Sequence, residues 1–224
     1  MSKPFRFRAI CLAAAFLFVS GASPFARAQD AAASPAKNPH DLVPSTIGPA
    51  PRIVPAQKLV LSGIPNAGNV DGLLFRGAQP RPDGYKQLKG LGVGIVVDLH
   101  NTEEEQRNER RTVESLDMRY VSIPSSAIYG PTDEQVAQFL KLIRENPQTK
   151  IFVHCNFGAD RAGVMVATYR IAEQQWTPDQ AYNEMRTFHF HTFLISMGRY
   201  VKYFPRRFSE DSAFAALRST PPKN

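Results

Sequence analysis

The stretch KIFVHCNFGADRAGVMVATYRIAEQ, residues 150–174, decides the fold. It opens with KIFVHC, an apolar run of the kind that forms buried parallel strands. It closes with a mostly apolar segment, residues 162–174, that predicts a helix. The loop between them therefore joins the C-terminal end of a strand to the N-terminus of a helix. Ligands bind at such places in open α/β sheets, and the inward-turned N–H groups and helix dipole favour anions.

Strand and helix patterns alternate around this stretch. LLFRG (73–77), VGIVVDLH (93–100) and MRYVSIP (118–124) predict further strands. Helices are predicted at residues 84–92, 101–116, 131–146 and 177–188. We therefore predict an α/β fold with a central, mostly parallel sheet flanked by helices.

Residues 1–28 resemble a secretory signal peptide. Basic residues come first, an apolar run follows at residues 9–19, and Ala26-Arg27-Ala28 supplies an A-x-A cleavage site. The apolar run is too short to cross a bilayer as an ordinary helix, so we expect no stable membrane insertion after cleavage. The sequence predicts cleavage after Ala28 and a secreted or periplasmic protein, with an uncleaved anchor as the alternative.

The rest of the chain divides into three parts. Residues 29–56 are rich in alanine and proline and predict a flexible linker. Residues 57–208 form the predicted domain, and residues 209–224 a weak helical tail. The whole chain has 27 basic and 20 acidic residues, and removal of the four basic residues in 1–28 leaves 23 against 20. This balance gives no case for a nucleic-acid partner.

Cleavage would also remove Cys11 and leave Cys155 as the one cysteine. A free thiol in an oxidising compartment is better explained by its chemistry than by its packing, although a buried structural thiol is the alternative. Gly158 permits the backbone geometry of an anion cradle, and the planar fork of Arg161 can hold two phosphate oxygens. The same positive field favours the thiolate form of Cys155.

HCNFGADRAG, residues 154–163, resembles the signature loop of the cysteine-dependent protein tyrosine and dual-specificity phosphatases, H-C-x5-R with a glycine three residues after the cysteine. LFRGAQP (74–80) and IVVDLH (95–100) resemble segments of bacterial and plant dual-specificity-like members. The resemblance covers residues 58–205.

The resemblance implies a role for each matching residue. Cys155 is the nucleophile that forms a phosphocysteine, Arg161 binds phosphate and stabilises its transition state, and His154 orients the loop. The substrate phosphate is bound by backbone amides of the loop. These belong to Asn156, Phe157, Gly158, Ala159, Asp160 and Arg161. No metal or other cofactor is required. The partner is a phosphorylated protein, such as one carrying phosphotyrosine, or a phosphorylated small molecule.

Two positions depart from the family pattern. Ala162 stands where a serine or threonine hydroxyl usually assists phosphate release, which predicts a slow second step. Residues 124–135, where the proton donor usually lies, carry Ser125, Ser126 and Ala127 and no carboxylate before Asp133. Asp133 sits in the first turn of a predicted helix, where a carboxylate stabilises the helix dipole.

Asp160 is therefore our candidate general acid, since an aspartate at this position acts from within the loop in some branches of the superfamily. A loop-stabilising salt bridge is the alternative. The sequence Trp-Thr-Pro-Asp, residues 176–179, resembles the Trp-Pro-Asp loop that supplies the proton donor in some family members, but it is interpreted as a helix start with Thr177 as N-cap.

Other polar residues have structural interpretations. His189 and His191 lack a third ligand and are expected to serve in packing or at the substrate edge. Asp98 and His100 end a buried strand, where a turn or cap role is expected. Three arginines could line an acidic pocket, but a solvent-exposed surface position is the simpler expectation for each. They are Arg76, Arg186 and Arg199.

The sequence thus predicts an exported phosphatase of the tyrosine or dual-specificity type. Two alternatives stay open: an inositol-phosphate or phosphoinositide phosphatase, and a pseudophosphatase that binds phosphate with little turnover.

Overall fold

A computed structural model describes residues 53–220. Its six-stranded sheet has the order β1-β2-β3-β6-β4-β5. The strands are β1 (Gln57–Lys58), β2 (Gly68–Asn69), β3 (Leu74–Ala78), β4 (Val93–Asp98), β5 (Arg119–Ser122) and β6 (Lys150–Cys155). The strands from β3 to β5 in this order run parallel, and β1 and β2 extend one edge antiparallel. The predicted α/β fold with a mostly parallel sheet is confirmed, and β6 is a central strand.

Helices cover both faces of the sheet. They are α1 (Pro82–Gly90), α2 (Glu103–Glu114), α3 (Asp133–Glu145), α4 (Arg161–Gln174), α5 (Pro178–Thr187), α6 (Ile195–Glu210) and α7 (Ala215–Ser219), with a 3-10 turn at Ser212–Phe214. One core cluster joins the sheet to α3, α4, α5 and α6, and a second joins it to α1 and α2.

The alternation of side chains along β6 decides what lies on each face. Ile151, Val153 and Cys155 belong to the core cluster on the α4 side, whereas Phe152 belongs to the cluster on the α2 side. His154 stacks on Phe152, with ring centroids 5.6 Å apart. Cys155 and His154, neighbours in sequence, therefore face opposite helical layers.

Two predicted helix starts have the expected chemistry. Thr132 and Gln135 form a reciprocal capping box at α3, and Thr177 and Gln180 form another at α5. Pro178 occupies the first turn of α5, so the Trp-Thr-Pro-Asp segment begins a helix.

The segment after Phe208, expected to be a weak helical tail, packs against the rest of the domain. Phe208 lies inside α6, a helix that the sequence patterns did not single out. Beyond it, Phe214 is fully buried and Leu217 nearly so, and both join the main core cluster. Phe214 packs edge-on against Phe204 of α6, so this segment is part of the domain.

The predicted signal peptide and most of the predicted linker lie outside the described residues. At the end of that linker, the backbone N–H of Ala56 donates to Oε1 of Glu184 at 2.6 Å. Among the described helices, none combines the length and apolar character needed to cross a membrane.

Candidate active site

Cys155 ends β6 and Arg161 begins α4, so the signature loop lies where a central parallel strand meets a helix N-terminus. Cys155 pairs in register with Ala78 of β3 and is 2% exposed. Arg161 is also buried, at 8% exposed. The structure thus brings together the two residues to which the sequence assigned the central chemistry.

Four consecutive carbonyl groups of the loop accept hydrogen bonds from Arg76 of β3, from Gln79 just after that strand and from Asn66 just before β2. The pairs, donor first, are Gln79 N to Asn156 O (3.3 Å), Asn66 Nδ2 to Phe157 O (3.2 Å), Arg76 Nη2 to Gly158 O (2.7 Å) and Arg76 Nη2 to Ala159 O (3.4 Å).

These bonds set the direction of the loop amides. In a trans peptide the C=O of one residue points opposite to the N–H of the next, so carbonyls held against β3 turn the following amides away from it. Within the described residues, the amides of residues 156–160 donate to no protein acceptor. Such an array of free N–H groups at a helix N-terminus is an anion cradle.

Arg76 is fully buried, which contradicts the expectation of solvated surface; Arg186 and Arg199 are exposed as expected. The Arg76 guanidinium lies 4.3 Å from the ring centroid of Phe188 and donates to the loop carbonyls. Burial lowers the pKa of Arg76 to about 10, with Glu184 and Cys155 opposing that shift. The available signal was an arginine inside the otherwise apolar run LLFRG.

Gly158 lets the loop approach β3 closely. Its φ is +64°, in the left-handed region, and a Cβ placed there would lie 2.3 Å from the carbonyl carbon of Gly77. Both the backbone conformation and the contact exclude a larger residue.

The side chain of Arg161 is partly committed to the protein. Its Nη1 donates to the carbonyl oxygen of Leu99 at 2.9 Å and lies 3.5 Å from that of Ser125. Among described residues only Nη1 has protein acceptors, so Nε and Nη2 are available to bind two phosphate oxygens.

Asp160 is the N-cap residue of α4, but its side chain does not cap the helix. Its Oδ1 instead accepts the backbone N–H of His191 at 2.9 Å, and Nδ1 of His191 lies 2.9 Å from Oδ2. Asp160 and His191 are thus brought together, a contact that sequence reasoning missed because 31 positions separate them. His189 adopts a positive φ of 65° and stays exposed.

His154 meets a residue of α2 beneath the loop. Its Nε2 lies 2.7 Å from Oε1 of Glu109, and both residues are buried. No motif or spacing in the sequence singled out Glu109. The two groups are close but not in hydrogen-bonding geometry, since neither ring nitrogen of His154 has a hydrogen-bond partner among the described residues.

A second buried pair lies beside this one. Nδ1 of His100 is 2.6 Å from Oδ1 of Asp98, and Tyr120 donates its hydroxyl to Oδ2 of Asp98 at 2.6 Å. Burial alone raises the pKa of Asp98, but the hydrogen bonds from His100 and Tyr120, with nearby His154, outweigh it and bring the pKa below its ordinary range. Asp98 also accepts the backbone N–H of His100, the turn role expected from the sequence.

Within residues 53–220, one group of side chains could hold a metal ion. Ligand atoms of Asp98, His100, Glu109 and His154 all lie within 4.8 Å of one another, and two imidazoles with two carboxylates form a donor set suited to a divalent cation. The contacts of 2.6 and 2.7 Å are, however, those of directly paired groups, so a cation would have to displace both pairs. The expected independence from metals stays a prediction.

Asp133, the other acidic candidate, is tied to α6. Its Oδ1 accepts the Tyr200 hydroxyl at 2.6 Å, and its Oδ2 accepts Nη1 of Arg207 at 3.0 Å. The carboxylate therefore holds α3 against α6. Ala162, the second departure from the family pattern, is completely buried in the first turn of α4.

Large apolar side chains protrude near the loop. Phe157 within the loop is 64% exposed, and Phe193 is 74% exposed. Both rings contact the imidazole of His191, at centroid distances of 6.5 and 5.4 Å. The pair of Asp160 and His191 is therefore bordered by aromatic surface.

A family model described as DSP-PTPase phosphatase fused to NAD+ kinase matches residues 64–202. The chain belongs to this family. The match includes the complete signature loop and the β3 segment that anchors it. The chain is thereby placed among the cysteine-dependent dual-specificity and tyrosine phosphatases, a superfamily of phosphoric monoester hydrolases, and the resemblance stated from the sequence is confirmed.

Curated relatives are similar over about half of the chain. The dual specificity protein phosphatase TpbA of Pseudomonas aeruginosa (strain UCBPP-PA14) is 27% identical over 113 residues, 50% of this chain and 50% of TpbA. The phosphatidylglycerophosphate phosphatase PTPMT1 of Arabidopsis thaliana is 29% identical over 121 residues, 51% of this chain and 34% of that protein. An mRNA-capping enzyme of Caenorhabditis elegans is 27% identical over 104 residues, 45% of this chain and 16% of the enzyme. The chain spans half or less of the length of these relatives.

Solved structures share the fold. The crystal structure of P. aeruginosa TpbA matches with a TM-score of 0.59 and 24% identity, covering 73% of this chain and 96% of TpbA. The catalytic core of the PP-IP phosphatase SIW14 from S. cerevisiae matches with a TM-score of 0.56 and 19% identity, covering 69% and 98%. The fold is therefore that of the tyrosine and dual-specificity phosphatases.

Proposed function

We propose that this protein is an exported, metal-independent phosphatase of the tyrosine or dual-specificity type that hydrolyses phosphate monoesters through a phosphocysteine. One observation carries the proposal: the loop carbonyls are held against β3, so that free amides and Arg161 surround the position above a buried cysteine. This arrangement fits a phosphate dianion poised for in-line attack by sulfur.

The proposed chemistry divides into two steps. The thiolate of Cys155 attacks phosphorus, and Arg161 and the loop amides stabilise the charge on the equatorial oxygens. Asp160 protonates the leaving oxygen, after which water cleaves the phosphocysteine. Ala162 offers no hydroxyl to the departing sulfur, so the second step is the slower one.

A phosphorylated protein is the proposed substrate, because a TpbA structure holds phosphotyrosine and because aromatic side chains border the loop. Phosphorylated small molecules are the alternative, and the relatives described as acting on phosphatidylglycerophosphate and PP-IP give it a chemical precedent. The predicted signal peptide supports export, which intact mass of the secreted protein tests: the proposal expects Gln29 as the mature N-terminus.

The test of function is a substrate panel of p-nitrophenyl phosphate, a phosphotyrosine peptide, an inositol polyphosphate and a phospholipid monoester in vesicles. Cys155→Ser should abolish turnover, and Arg161→Lys should lower kcat/KM by about 100-fold or more, because a point charge replaces a planar fork. Arg199→Ala, an exposed arginine on α6, is the matched control. Turnover by Cys155→Ser at the wild-type rate would overturn the proposal, and phosphocysteine that accumulates without phosphate release would favour a pseudophosphatase.

A further inference from the structure

The carboxyl group of Asp160 faces an imidazole and not the helix that it begins. Oδ1 accepts the backbone N–H of His191 at 2.9 Å, while Nδ1 of the same residue lies 3.1 Å from Oδ1 and 2.9 Å from Oδ2. The backbone bond occupies Oδ1 and fixes the carboxyl plane. Oδ2 is therefore the oxygen placed to exchange a proton with Nδ1.

We propose that Asp160 and His191 share one proton and that this pair, and not Asp160 alone, supplies the proton for the leaving group. The inference rests on the proposed phosphatase function. Arg161 follows Asp160 in the chain, and Arg76 interacts with it electrostatically. An imidazole within hydrogen-bond distance of the carboxyl group can exchange a proton with it.

The solvent exposures of the two side chains fit their proposed roles, with His191 taking up the proton and Asp160 donating it. The Asp160 side chain is 14% exposed and belongs to the loop, whereas the His191 side chain is 46% exposed and open to water. His191 can therefore take up a proton from solvent and pass it inward. Its ring lies beside those of Phe157 and Phe193, at centroid distances of 6.5 and 5.4 Å.

The proton balance closes over one cycle. Before the reaction the pair holds its proton on His191, so that an imidazolium faces the carboxylate of Asp160. When sulfur attacks, the P–O bond breaks and its electron pair stays on the leaving oxygen. Nδ1 of His191 transfers its proton to Oδ2 of Asp160, and Oδ2 passes a proton to the leaving oxygen, so the pair ends the step with one proton fewer. In the second step, water attacks phosphorus, the P–S bond breaks with its electrons on sulfur, and the proton released by water reloads the pair.

His191 is thus a positioning residue that acts through Asp160, and its test must separate proton supply from structure. Groups that also bear on the local charge are Arg76 from β3, Arg161 from α4, Cys155 from β6 and His189 from the same loop. The variants are His191→Ala, His191→Asn and Asp160→Asn, with His189→Ala as the matched control, since His189 is an exposed histidine two positions away.

The measurement is kcat/KM across pH for two substrates, p-nitrophenyl phosphate and the unactivated phenyl phosphate. His191→Ala and His191→Asn should each lower kcat/KM for phenyl phosphate by about 10-fold to 100-fold, the range of a general acid, and change that for p-nitrophenyl phosphate by less than about 3-fold. In both variants kcat/KM for phenyl phosphate should no longer decrease at alkaline pH, whereas His189→Ala should keep the wild-type decrease.

Two results would overturn the inference. One is a His191→Asn variant with the wild-type pH profile, because asparagine keeps a hydrogen bond but has no group that gains or loses a proton in this pH range. The other is an equal loss for both substrates. Neither result touches the proposed function, which fails separately if the wild-type protein hydrolyses no phosphate monoester or if Cys155→Ser remains active.

Discussion

The guanidinium of Arg76 lies beneath the signature loop with Nη2 2.7 Å from the carbonyl oxygen of Gly158. Arg76 is fully buried, and Nε and Nη1 have no hydrogen-bond partner among the described residues. A buried cation that binds loop carbonyls draws them away from the phosphate position, and its charge favours an anion on the other side. The conformation of the loop therefore depends on Arg76 of β3 as well as on the sequence of the loop itself.

Replacement of Arg76 by methionine should impair catalysis more than folding. Methionine fills much of the volume without charge, so the cost of a buried cation disappears while the anchor of two carbonyls is lost. We expect kcat/KM for p-nitrophenyl phosphate to fall by about 100-fold, as for other pre-organised electrostatic groups. Thermal unfolding of the variant should remain cooperative, and a wild-type kcat/KM in Arg76→Met would refute the anchoring role.

Gly158→Ala should disrupt the loop. The positive φ costs a non-glycine residue roughly 1–2 kcal/mol, and the new Cβ would also collide with the backbone of Gly77. Phosphate protection against thermal unfolding should be lost together with activity. Gly90→Ala is the control, since its new Cβ would have no atom within 4 Å apart from its chain neighbours and the backbone of its own helix. Similar behaviour of the two variants would contradict the close approach of Gly158 to β3.

Ala162→Ser should accelerate the second step. The hydroxyl that the family usually supplies would hydrogen-bond the departing sulfur, and serine adds only one oxygen at this buried position. Rapid-quench kinetics should show less accumulated phosphocysteine and a higher steady-state rate than in the wild type. Ala167→Ser, buried on the same helix, is the control. If Ala162→Ser accumulates as much phosphocysteine as the wild type and turns over at the same rate, phosphocysteine hydrolysis does not limit turnover.

Stability should fall at alkaline pH through buried tyrosines. Burial, with neighbouring carboxylates, raises the pKa of Tyr85, Tyr120, Tyr169 and Tyr200 above their ordinary value of about 10. The folded state then retains protons that the unfolded state releases, so the free energy of unfolding decreases as pH rises above about 10.

Near-ultraviolet absorbance of tyrosinate, followed with circular dichroism, checks this expectation. These four tyrosines should ionise together with unfolding and not before it. Tyr120→Phe should cost about 1–3 kcal/mol at neutral pH, because Asp98 loses a buried donor. The free energy of unfolding of Tyr120→Phe should decrease less steeply at alkaline pH than that of the wild type. Ionisation of all tyrosines in a protein that is still folded would contradict the raised pKa values of the buried ones.

The sequence determined the local framework of the site. Apolar runs and capping residues predicted β3 to β6 and five of the helices, since strand and helix periodicities and N-cap chemistry are properties of neighbouring residues. The spacing from His154 to Arg161 likewise predicted the strand, loop and helix N-terminus on which the cradle depends. Cys155 and Arg161 could be named for the same reason.

Only the tertiary structure decided which distant residues support that framework. Arg76, Glu109 and His191 reach the loop from β3, α2 and the segment before α6, and no local pattern encodes such contacts. The short edge strands and the packing of Phe214 also depend on partners far away in the chain. Periodicity reports which face of an element is buried, but the partner of a buried arginine or carboxylate is fixed only when the elements pack.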